Sequence, residues 1–281
     1  MIIKVPATSA NLGPGYDAMG MSLNLYNEFT FVKTDEKIDY KDSLFYKAFS
    51  YIFDLERKAP PQVKISIKTG VPIARGLGSS ATCIVAGLYA ANIILGEKYS
   101  KDEILRFATD IEGHPDNVGP AILGGLVISA MEKDRVFYYK INPSKKLSYI
   151  LIIPDFELET SLARSILPKK VTREDAVYNI ARSNLISRAI EKGDMEMLIG
   201  IFGDKLHEPY RKKLIKDFDL YEKIARENKA TIFISGAGSS MLIISSKENL
   251  EILNKLRTIN ENYKIMELSS GGGAEIIGKD F

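Results

Sequence analysis

The residues with the clearest chemical meaning form a glycine- and serine-rich stretch, P-I-A-R-G-L-G-S-S-A-T, which begins at Pro72. Gly76 and Gly78 allow a ligand to approach the backbone without a Cβ in the way. Ser79 and Ser80 add hydroxyl groups that suit phosphate oxygens or a divalent cation. The stretch therefore predicts a loop that binds phosphate.

The flanking residues predict the two elements that hold this loop. Upstream, Val63, Ile65 and Ile67 alternate with polar residues, a period that indicates a half-buried strand. Downstream, the run from Ala81 to Leu95 is apolar almost all round, as expected of a buried helix. The free N–H groups and the dipole at the start of that helix favour an anion beside the loop.

Familiar glycine motifs fit this stretch poorly. Walker A requires a lysine after its last glycine, where this chain has Ser79. The dinucleotide fingerprint G-x-G-x-x-A matches residues 76–81, and Glu97 follows about twenty residues on, but no second strand precedes that acid. The protein-kinase sequences H-R-D and D-F-G do not occur. From the loop alone, a tight turn with two capping serines remains an alternative.

Composition narrows the class of protein. The chain has 281 residues, 45% hydrophobic and 26% charged, with a net charge of +2, which offers no field for nucleic acid or an acidic membrane. No signal-peptide core or bilayer-spanning run is evident, so a cytoplasmic protein is expected. The single cysteine, Cys83, excludes an internal disulfide and is expected in the core. His114 and His207 lack the spacing of a Cys/His metal site.

The order of predicted strands and helices changes near residue 145. The second half of the chain predicts a strand at 149–154, then helices, then paired strands at 231–235 and 240–245. A helix at 248–259 and a strand at 264–268 follow. This order is typical of the split βαβ or ferredoxin-like plan. We therefore expect two α+β domains with the functional site in the cleft between them.

The glycine stretch resembles the nucleotide loop of the GHMP small-molecule kinases, which include galactokinase, homoserine kinase, mevalonate kinase and phosphomevalonate kinase. Two further blocks stand in the expected order, P-A-T-S-A-N-L-G-P-G-Y-D at 6–17 and S-G-A-G-S-S at 235–240. The first block and G-H-P-D-N-V at 113–118 are most similar to homoserine kinases, and the resemblance covers essentially the whole chain.

The resemblance implies a fold and an activity. The fold would be the α+β GHMP kinase fold, with a ribosomal protein S5 domain 2-like domain over 1–145 and a ferredoxin-like domain over 146–281. The activity would be ATP-dependent phosphorylation of the side-chain hydroxyl of L-homoserine, on the route to threonine, with Mg²⁺. The residues expected to bind the nucleotide are Pro72, Ile73, Ala74, Arg75, Gly76, Leu77, Gly78, Ser79, Ser80, Ala81 and Thr82.

The resemblance also implies a metal site next to the loop. Ser80 would bind Mg²⁺ together with an acid from the following helix, which a capping box places after Ser100. Asp110 and Glu112 both lie in the last turn of that helix, where the dipole disfavours negative charge, so a cation is expected there. The sequence does not decide between them, and two solvated surface acids remain an alternative.

For catalysis, the resemblance implies Asn117, Asp116, Arg164 and Thr160. Asn117 would hold the acceptor, and Asp116 would either support its loop or act as a general base. Arg164 would neutralise charge near the phosphoryl group, and Thr160, one helical turn earlier if that stretch is helical, would touch the same group.

For the amino-acid end of the acceptor, the resemblance implies Asn11, Asp17, Arg164 and Arg211 in addition to Asn117. Guanidinium groups bind a carboxylate bidentately, and Asp17 could take the ammonium group. The rival hypotheses are another GHMP kinase, acting on mevalonate or a related alcohol, and a non-catalytic nucleotide-binding protein. A homodimer is an open alternative to a monomer.

Overall fold

Two antiparallel sheets organise the chain in the computed structural model, which describes residues 1–40, 43–247, 249 and 251–281. The strands of the described residues are β1 (Ile2–Ala10), β2 (Met19–Lys33), β3 (Val63–Lys68), β4 (Leu126–Glu132), β5 (Arg135–Ile141), β6 (Leu147–Ile153), β7 (Thr231–Ile234), β8 (Met241–Ser246), β9 (Lys264–Leu268) and β10 (Glu275–Gly278).

The helices pack against the two sheets or line the cleft between them. They are α1 (Leu44–Leu55), α2 (Ser79–Ile94), α3 (Lys101–Glu112), α4 (Pro115–Leu123), α5 (Thr160–Ser165), α6 (Arg173–Lys192), α7 (Met195–Gly200), α8 (Glu208–Arg211), α9 (Phe218–Glu227) and α10 (Glu251–Arg257). A 3₁₀ turn, Lys212–Leu214, follows α8. Within the described ranges, no helix is both long and apolar enough to cross a membrane.

The first sheet has the order β10-β1-β2-β4-β5, with β3 also paired to β2. Its core lies between the sheet and the helices α1 and α2, where Phe29, Phe49 and Ile84 are buried. Because α2 is apolar on nearly every side, it can be enclosed by its neighbours, as the sequence predicts. The buried helix gives the loop before it a rigid base.

The second sheet has the order β7-β8-β6-β9, and its neighbouring strands are all antiparallel. The chain visits these strands as β, helices, β-β, α, β, so the predicted ferredoxin-like plan is confirmed. The last helix, α10, begins at Glu251, later than the predicted start at Glu248, which lies outside the described residues.

The predicted division at residues 145/146 falls in the link between β5 and β6, but the assignment of 146–281 to one domain needs a correction. The last strand, β10, pairs with β1 of the first sheet, with Ile276 opposite Ile3. A strand at this place covers an otherwise open edge of the sheet. Its four residues are too short for their pattern to reveal their partner.

Candidate active site

A cleft of about 610 Å³ lies where the two sheets and their loops meet. Segments from both halves of the chain form its walls. The lining residues are Ala10, Asn11, Asp17, Ile73, Ala74, Arg75, Gly76, Leu77, Gly78, Ser79, Ser80, Cys83, Glu112, His114, Asp116, Asn117, Thr160, Arg164, Arg211, Gly236 and Ala237. Most of the predicted site residues are therefore brought together, although they lie far apart in the sequence.

The glycine loop ends at Gly78, which adopts a left-handed conformation with φ of 65° and precedes the first turn of α2. The N–H groups of that turn have no acceptor within the helix, so they can bind an anion in the cleft. A Cβ on Gly78 would lie 2.0 Å from Thr8 Oγ1, and one on Gly76 would lie 2.1 Å from the Ser235 carbonyl oxygen. Close contact with neighbouring chain segments thus requires glycine at both positions.

Three of the predicted nucleotide-binding residues lie off the cleft. Pro72 precedes the lining segment, and Ala81 and Thr82 are fully buried in α2. The Thr82 hydroxyl donates to the Ser79 carbonyl oxygen at 2.7 Å and accepts from Asn27 Nδ2 at 2.9 Å. The side chains of Ala81 and Thr82 face the core because these residues lie in the first turns of α2, which is buried on that side.

Cys83 differs from its predicted place in the core, since it is half-buried and lines the cleft. Burial raises the pKa of its thiol, an effect that the nearby Glu112 carboxylate increases. The helix face that carries Cys83 therefore belongs to the wall of the site beside the glycine loop.

The two candidate metal ligands on α3 occupy different surroundings. Ser80 Oγ donates to Glu112 Oε2 at 2.9 Å inside the cleft, and burial raises the pKa of the Glu112 carboxyl. Asp110 lies outside the cleft, where it accepts from Arg106 at 3.0 Å and from Tyr51 at 3.1 Å. Residues two apart on a helix do not share a face, which explains the difference. A hydroxyl and a buried carboxylate are hard oxygen ligands and fit Mg²⁺.

The Asp116 and Asn117 pair begins α4 and is closely tied to its neighbours. Asp116 is 2% exposed, and its Oδ1 contacts His114 Nδ1 at 2.5 Å. Asn117 Oδ1 accepts from Thr8 Oγ1 at 2.7 Å, and its Nδ2 donates to Asp116 Oδ1 at 3.4 Å. The hydrogen bond to Asp116 raises the pKa of His114. Asp116 is thus the partner of an imidazole rather than a free carboxylate.

His114 is a site residue that the sequence analysis did not predict, because its spacing does not fit a Cys/His metal site. Its ring nitrogen and carboxylate oxygens of Asp17 and Asp116 all lie within 4.8 Å of one another, so these atoms could hold a cation. Asp17 comes from a distant part of the chain, so sequence spacing could not reveal the group. The signal that could have found His114 was its position inside the G-H-P-D-N block.

A bidentate ion pair joins the two halves of the chain across the cleft. Arg164 Nη2 lies 2.9 Å from Asp17 Oδ1, and Nη1 lies 3.2 Å from Oδ2. Asn11 fixes Asp17, because its Oδ1 accepts from the Asp17 N–H while its Nδ2 donates to the Gly236 carbonyl oxygen, both at 2.9 Å. Asn11 therefore helps to hold the site, and because it also lines the cleft, its contact with the acceptor stays a prediction.

Arg211 is a buried guanidinium at the inner wall of the same cleft, 2% exposed. Its Nε donates to the Ala163 carbonyl oxygen and its Nη1 to the Gly236 carbonyl oxygen, both at 3.1 Å. Among the described residues it forms no ion pair, and burial lowers its pKa. Thr160 begins α5, one turn before Arg164, as the sequence predicts for a helical stretch.

The serine-containing loop at 235–240 joins the glycine loop to the second sheet. Ser235 Oγ donates to the Gly76 carbonyl oxygen at 2.7 Å, and the Ser240 N–H donates to the Arg75 carbonyl oxygen at 3.2 Å. The Ser239 hydroxyl is likewise bound, to the Phe156 carbonyl oxygen at 2.7 Å. The hydroxyls of Ser235 and Ser239 are thus occupied with backbone carbonyls, and the loop closes one side of the cleft.

Comparison with known proteins agrees with this geometry. The family described as "GHMP kinases N terminal domain" matches residues 43–125. A homoserine kinase of Clostridium acetobutylicum is 38% identical over 98% of this chain and 99% of the relative. One of Crocosphaera subtropica is 42% identical over 90% of this chain and 88% of the relative.

Solved structures show the same relationship. The homoserine kinase of Cytophaga hutchinsonii has a TM-score of 0.88 and 27% identity, over 99% of this chain and 97% of that chain. The mevalonate kinase of Methanococcus jannaschii has a TM-score of 0.73 and 16% identity, over 97% of this chain and 98% of that chain. At this identity the likeness shows the fold alone. The predicted GHMP kinase fold is confirmed.

Proposed function

The chain belongs to the homoserine kinase family of the GHMP kinases, and on that premise we propose that it transfers the γ-phosphoryl group of ATP to the side-chain hydroxyl of L-homoserine. The observation that carries the proposal is one cleft with the N-terminus of α2 at one end and the charged side chains of Asp17, Arg164 and Arg211 at the other. The product would be O-phospho-L-homoserine, an intermediate on the route to threonine.

The nucleotide phosphates would bind at the glycine loop. The backbone from Gly76 to Ser80 borders the cleft, and the first turn of α2 directs its free N–H groups into it. Such donors are fixed by the helix and need no rearrangement when charge develops on a phosphoryl group. Because ATP is abundant in the cytoplasm, its use as phosphoryl donor also favours a cytoplasmic enzyme.

Ser80 and Glu112 would hold Mg²⁺ beside the phosphates. Both groups are oxygen ligands that face the cleft 2.9 Å apart, and the burial that raises the pKa of Glu112 leaves its carboxylate in need of a cation. When bound, the metal would neutralise charge on the transferring phosphoryl group. Asp110 has no part in this proposal, because it is paired outside the cleft.

Arg211 and Asp17 would recognise the two charges of homoserine. Arg211 is buried without a carboxylate partner in the described part of the chain, so an acceptor carboxylate would supply the missing anion. Asp17 is ion-paired with Arg164, and an ammonium group bound by Asp17 would release Arg164 to face the phosphoryl group. Acceptor binding would in this way prepare the charge for the transition state.

Asn117 would orient the acceptor hydroxyl, and Asp116 would support it. The contact between Asp116 and His114 engages the carboxylate that a general base would need, so the hydroxyl proton would pass to the phosphate or to solvent. Thr160 lies at the cleft end of α5 and would contact the phosphoryl group from the other side. Catalysis would then rest on positioning and charge neutralisation.

A comparison of acceptor alcohols tests this function. With ATP and Mg²⁺, we expect kcat/KM for homoserine to exceed that for 4-hydroxybutyrate, which lacks the ammonium group, by at least about tenfold, the size of one charge-assisted hydrogen bond. Mevalonate should be a poorer acceptor still, because it has no ammonium group and more bulk. Equal kcat/KM for homoserine and 4-hydroxybutyrate would show that no group reads the ammonium, and would favour another alcohol.

A further inference from the structure

The guanidinium of Arg211 lies in a ring of neutral acceptors. Besides its bonds to two carbonyl oxygens, its Nη1 lies 3.4 Å from Nδ1 of His207. Guanidinium is always protonated in proteins, so an acceptor at this distance must offer a lone pair. The buried cation is therefore held in place without being neutralised.

Two carboxyl groups near Arg211 form no ion pair with it in the described part of the chain. Asp204 accepts from the backbone N–H groups of His207 and Glu208, both at 2.7 Å, and from Asn179 Nδ2 at 2.6 Å. Glu208 is fully enclosed, and burial raises its pKa to about 8, so it is largely protonated at neutral pH. The positive charge of Arg211 thus remains available to a ligand in the cleft.

His207 is the side chain that links this guanidinium to the other domain. It is fully buried, and its Nε2 lies 2.8 Å from the Gly13 carbonyl oxygen, which can only accept, so Nε2 carries the proton. Burial lowers the pKa of His207, which keeps Nδ1 free of a proton. The other groups that face the ring are Tyr16, at 5.2 Å between ring centroids, and Asp204, with Oδ2 3.8 Å from Nε2.

We propose that His207 is a positioning residue for acceptor recognition: its Nδ1 accepts from Arg211 and fixes the guanidinium for the acceptor carboxylate, while Gly13 of the first domain holds the imidazole in the tautomer that leaves Nδ1 free to accept. Gly13 belongs to the same loop as Asp17, the proposed partner of the ammonium group. The imidazole that fixes Arg211 is therefore anchored on the loop that carries the other charge proposed to bind the amino acid. The inference rests on the proposed function and adds a residue that does not touch the substrate.

The chemistry of the imidazole explains why histidine suits this place. A neutral ring provides a donor at Nε2 and an acceptor at Nδ1 on different sides, which matches the Gly13 carbonyl oxygen and the Arg211 guanidinium. A carboxylate here would form a salt bridge with Arg211 and compete with the acceptor. A lysine would place a second cation beside it.

Two substitutions separate the two bonds. In His207→Gln the amide nitrogen can replace Nε2 and keep the bond to Gly13, but the acceptor for Arg211 is lost. In His207→Asn the amide oxygen can replace Nδ1 and keep the bond to Arg211. We expect His207→Gln to raise the KM for homoserine about tenfold, the equivalent of one hydrogen bond to a charged group. His207→Asn should restore most of that loss, with kcat and the KM for ATP unchanged in both variants.

Three kinetic results would overturn the inference. They are an unchanged homoserine KM in His207→Gln, an equal rise of the homoserine KM in the Gln and Asn variants, and a fall in kcat without a change in the homoserine KM. The wild-type assay separates this inference from the proposed function. If the wild-type protein does not phosphorylate homoserine, the proposed function fails; if it does and His207→Gln has a wild-type KM, only the role of His207 fails.

A spectroscopic test uses the unaltered protein and does not depend on how the variants fold. The chain has only two histidines, so ¹⁵N spectra of the imidazoles can be assigned with one His114→Gln sample. We expect His207 to show the neutral Nε2–H tautomer at neutral pH, because burial lowers its pKa. 4-Hydroxybutyrate should shift its Nδ1 resonance, whereas 3-aminopropan-1-ol, which lacks the carboxylate, should not. A protonated His207 at neutral pH, or equal shifts with both compounds, would contradict the proposal.

Discussion

Under the proposed function, the two ends of the cleft would bind charged ligands by different means. The nucleotide end consists of one short stretch of backbone, in which Gly78 precedes the free N–H groups of α2. The acceptor end consists of side chains from separate segments, among them Asp17, Arg164 and Arg211. Backbone dipoles stay in place whatever is bound, whereas charged side chains can exchange partners. Under the proposed function, the acceptor end would respond to its ligand, whereas the nucleotide end would be fixed in advance.

The arginines of the acceptor end show the same contrast on a smaller scale. Arg164 is partly exposed and already paired with Asp17, so its charge becomes available only when that pair is broken. Arg211 is buried, held by neutral acceptors, and ready for an anion. A buried cation without a counter-ion is costly, which is expected where a ligand completes the site.

The largest effect is expected at the metal position of the nucleotide end. Glu112→Gln removes the negative charge that faces Ser80, and kcat should fall by at least about a hundredfold, as for other losses of transition-state charge stabilisation. Asp110→Asn is the matched control, because it removes a carboxylate from the same turn outside the cleft, and activity should stay within about twofold. A titration of activity against Mg²⁺ would measure both. Similar losses in the two variants would contradict the assignment.

The next effect concerns the exchange of partners at the acceptor end. Asp17→Asn removes the proposed ammonium partner, so kcat/KM for homoserine should fall about ten- to a hundredfold, the value of one charge-assisted hydrogen bond. The KM for ATP should not change. For 4-hydroxybutyrate the same substitution should cost much less, because that acceptor has no ammonium group. An equal loss for both acceptors would mean that Asp17 acts only through Arg164 and the fold.

A smaller effect is expected where the two ends meet, at Gly78. Alanine there adds a Cβ at 2.0 Å from Thr8 Oγ1 and 3.0 Å from Asn117 Oδ1, in a backbone conformation that side chains disfavour. Strain of about 1 to 3 kcal/mol is typical of such a position, so the loop should move and disturb the bond between Thr8 and Asn117. We expect KM to rise about tenfold for ATP and for homoserine, with a lower Tm. A change for ATP alone would show that the ends are independent.

The sequence predicts the nucleotide end better than the acceptor end, for a physical reason. A loop such as 73–80 is contiguous, and its glycines and helix start can be read from neighbouring letters. The choice between Asp110 and Glu112 depends on the rotation of a helix against its neighbours, which a capping box does not fix. The pairing of His207 with Gly13 and Arg211 depends on how two domains meet.

The fold shows the same limit. The ferredoxin-like order of the second sheet follows from the succession of elements, and that prediction is confirmed. The return of β10 to the first sheet does not follow, because four residues carry too little pattern to name a partner. The contact that excludes a side chain at Gly78 does not follow either, because its neighbour Thr8 is distant in sequence. Local order is readable from the letters, and contacts between distant segments are not.

The smallest effect is expected in the alkylation rate of the single cysteine, which can locate the boundary between the two ends. Cys83 lines the cleft close enough to Glu112 to feel its charge, and burial raises the pKa of the thiol, so alkylation should be slow even without ligand. Mg²⁺ with a non-hydrolysable ATP analogue at four times its Kd should slow alkylation about fivefold, the factor that mass action gives for a blocked site. Homoserine alone should leave the rate within about twofold, and Cys83→Ser should abolish labelling. Protection by homoserine instead of the nucleotide would assign this wall to the acceptor end and overturn the division of the cleft.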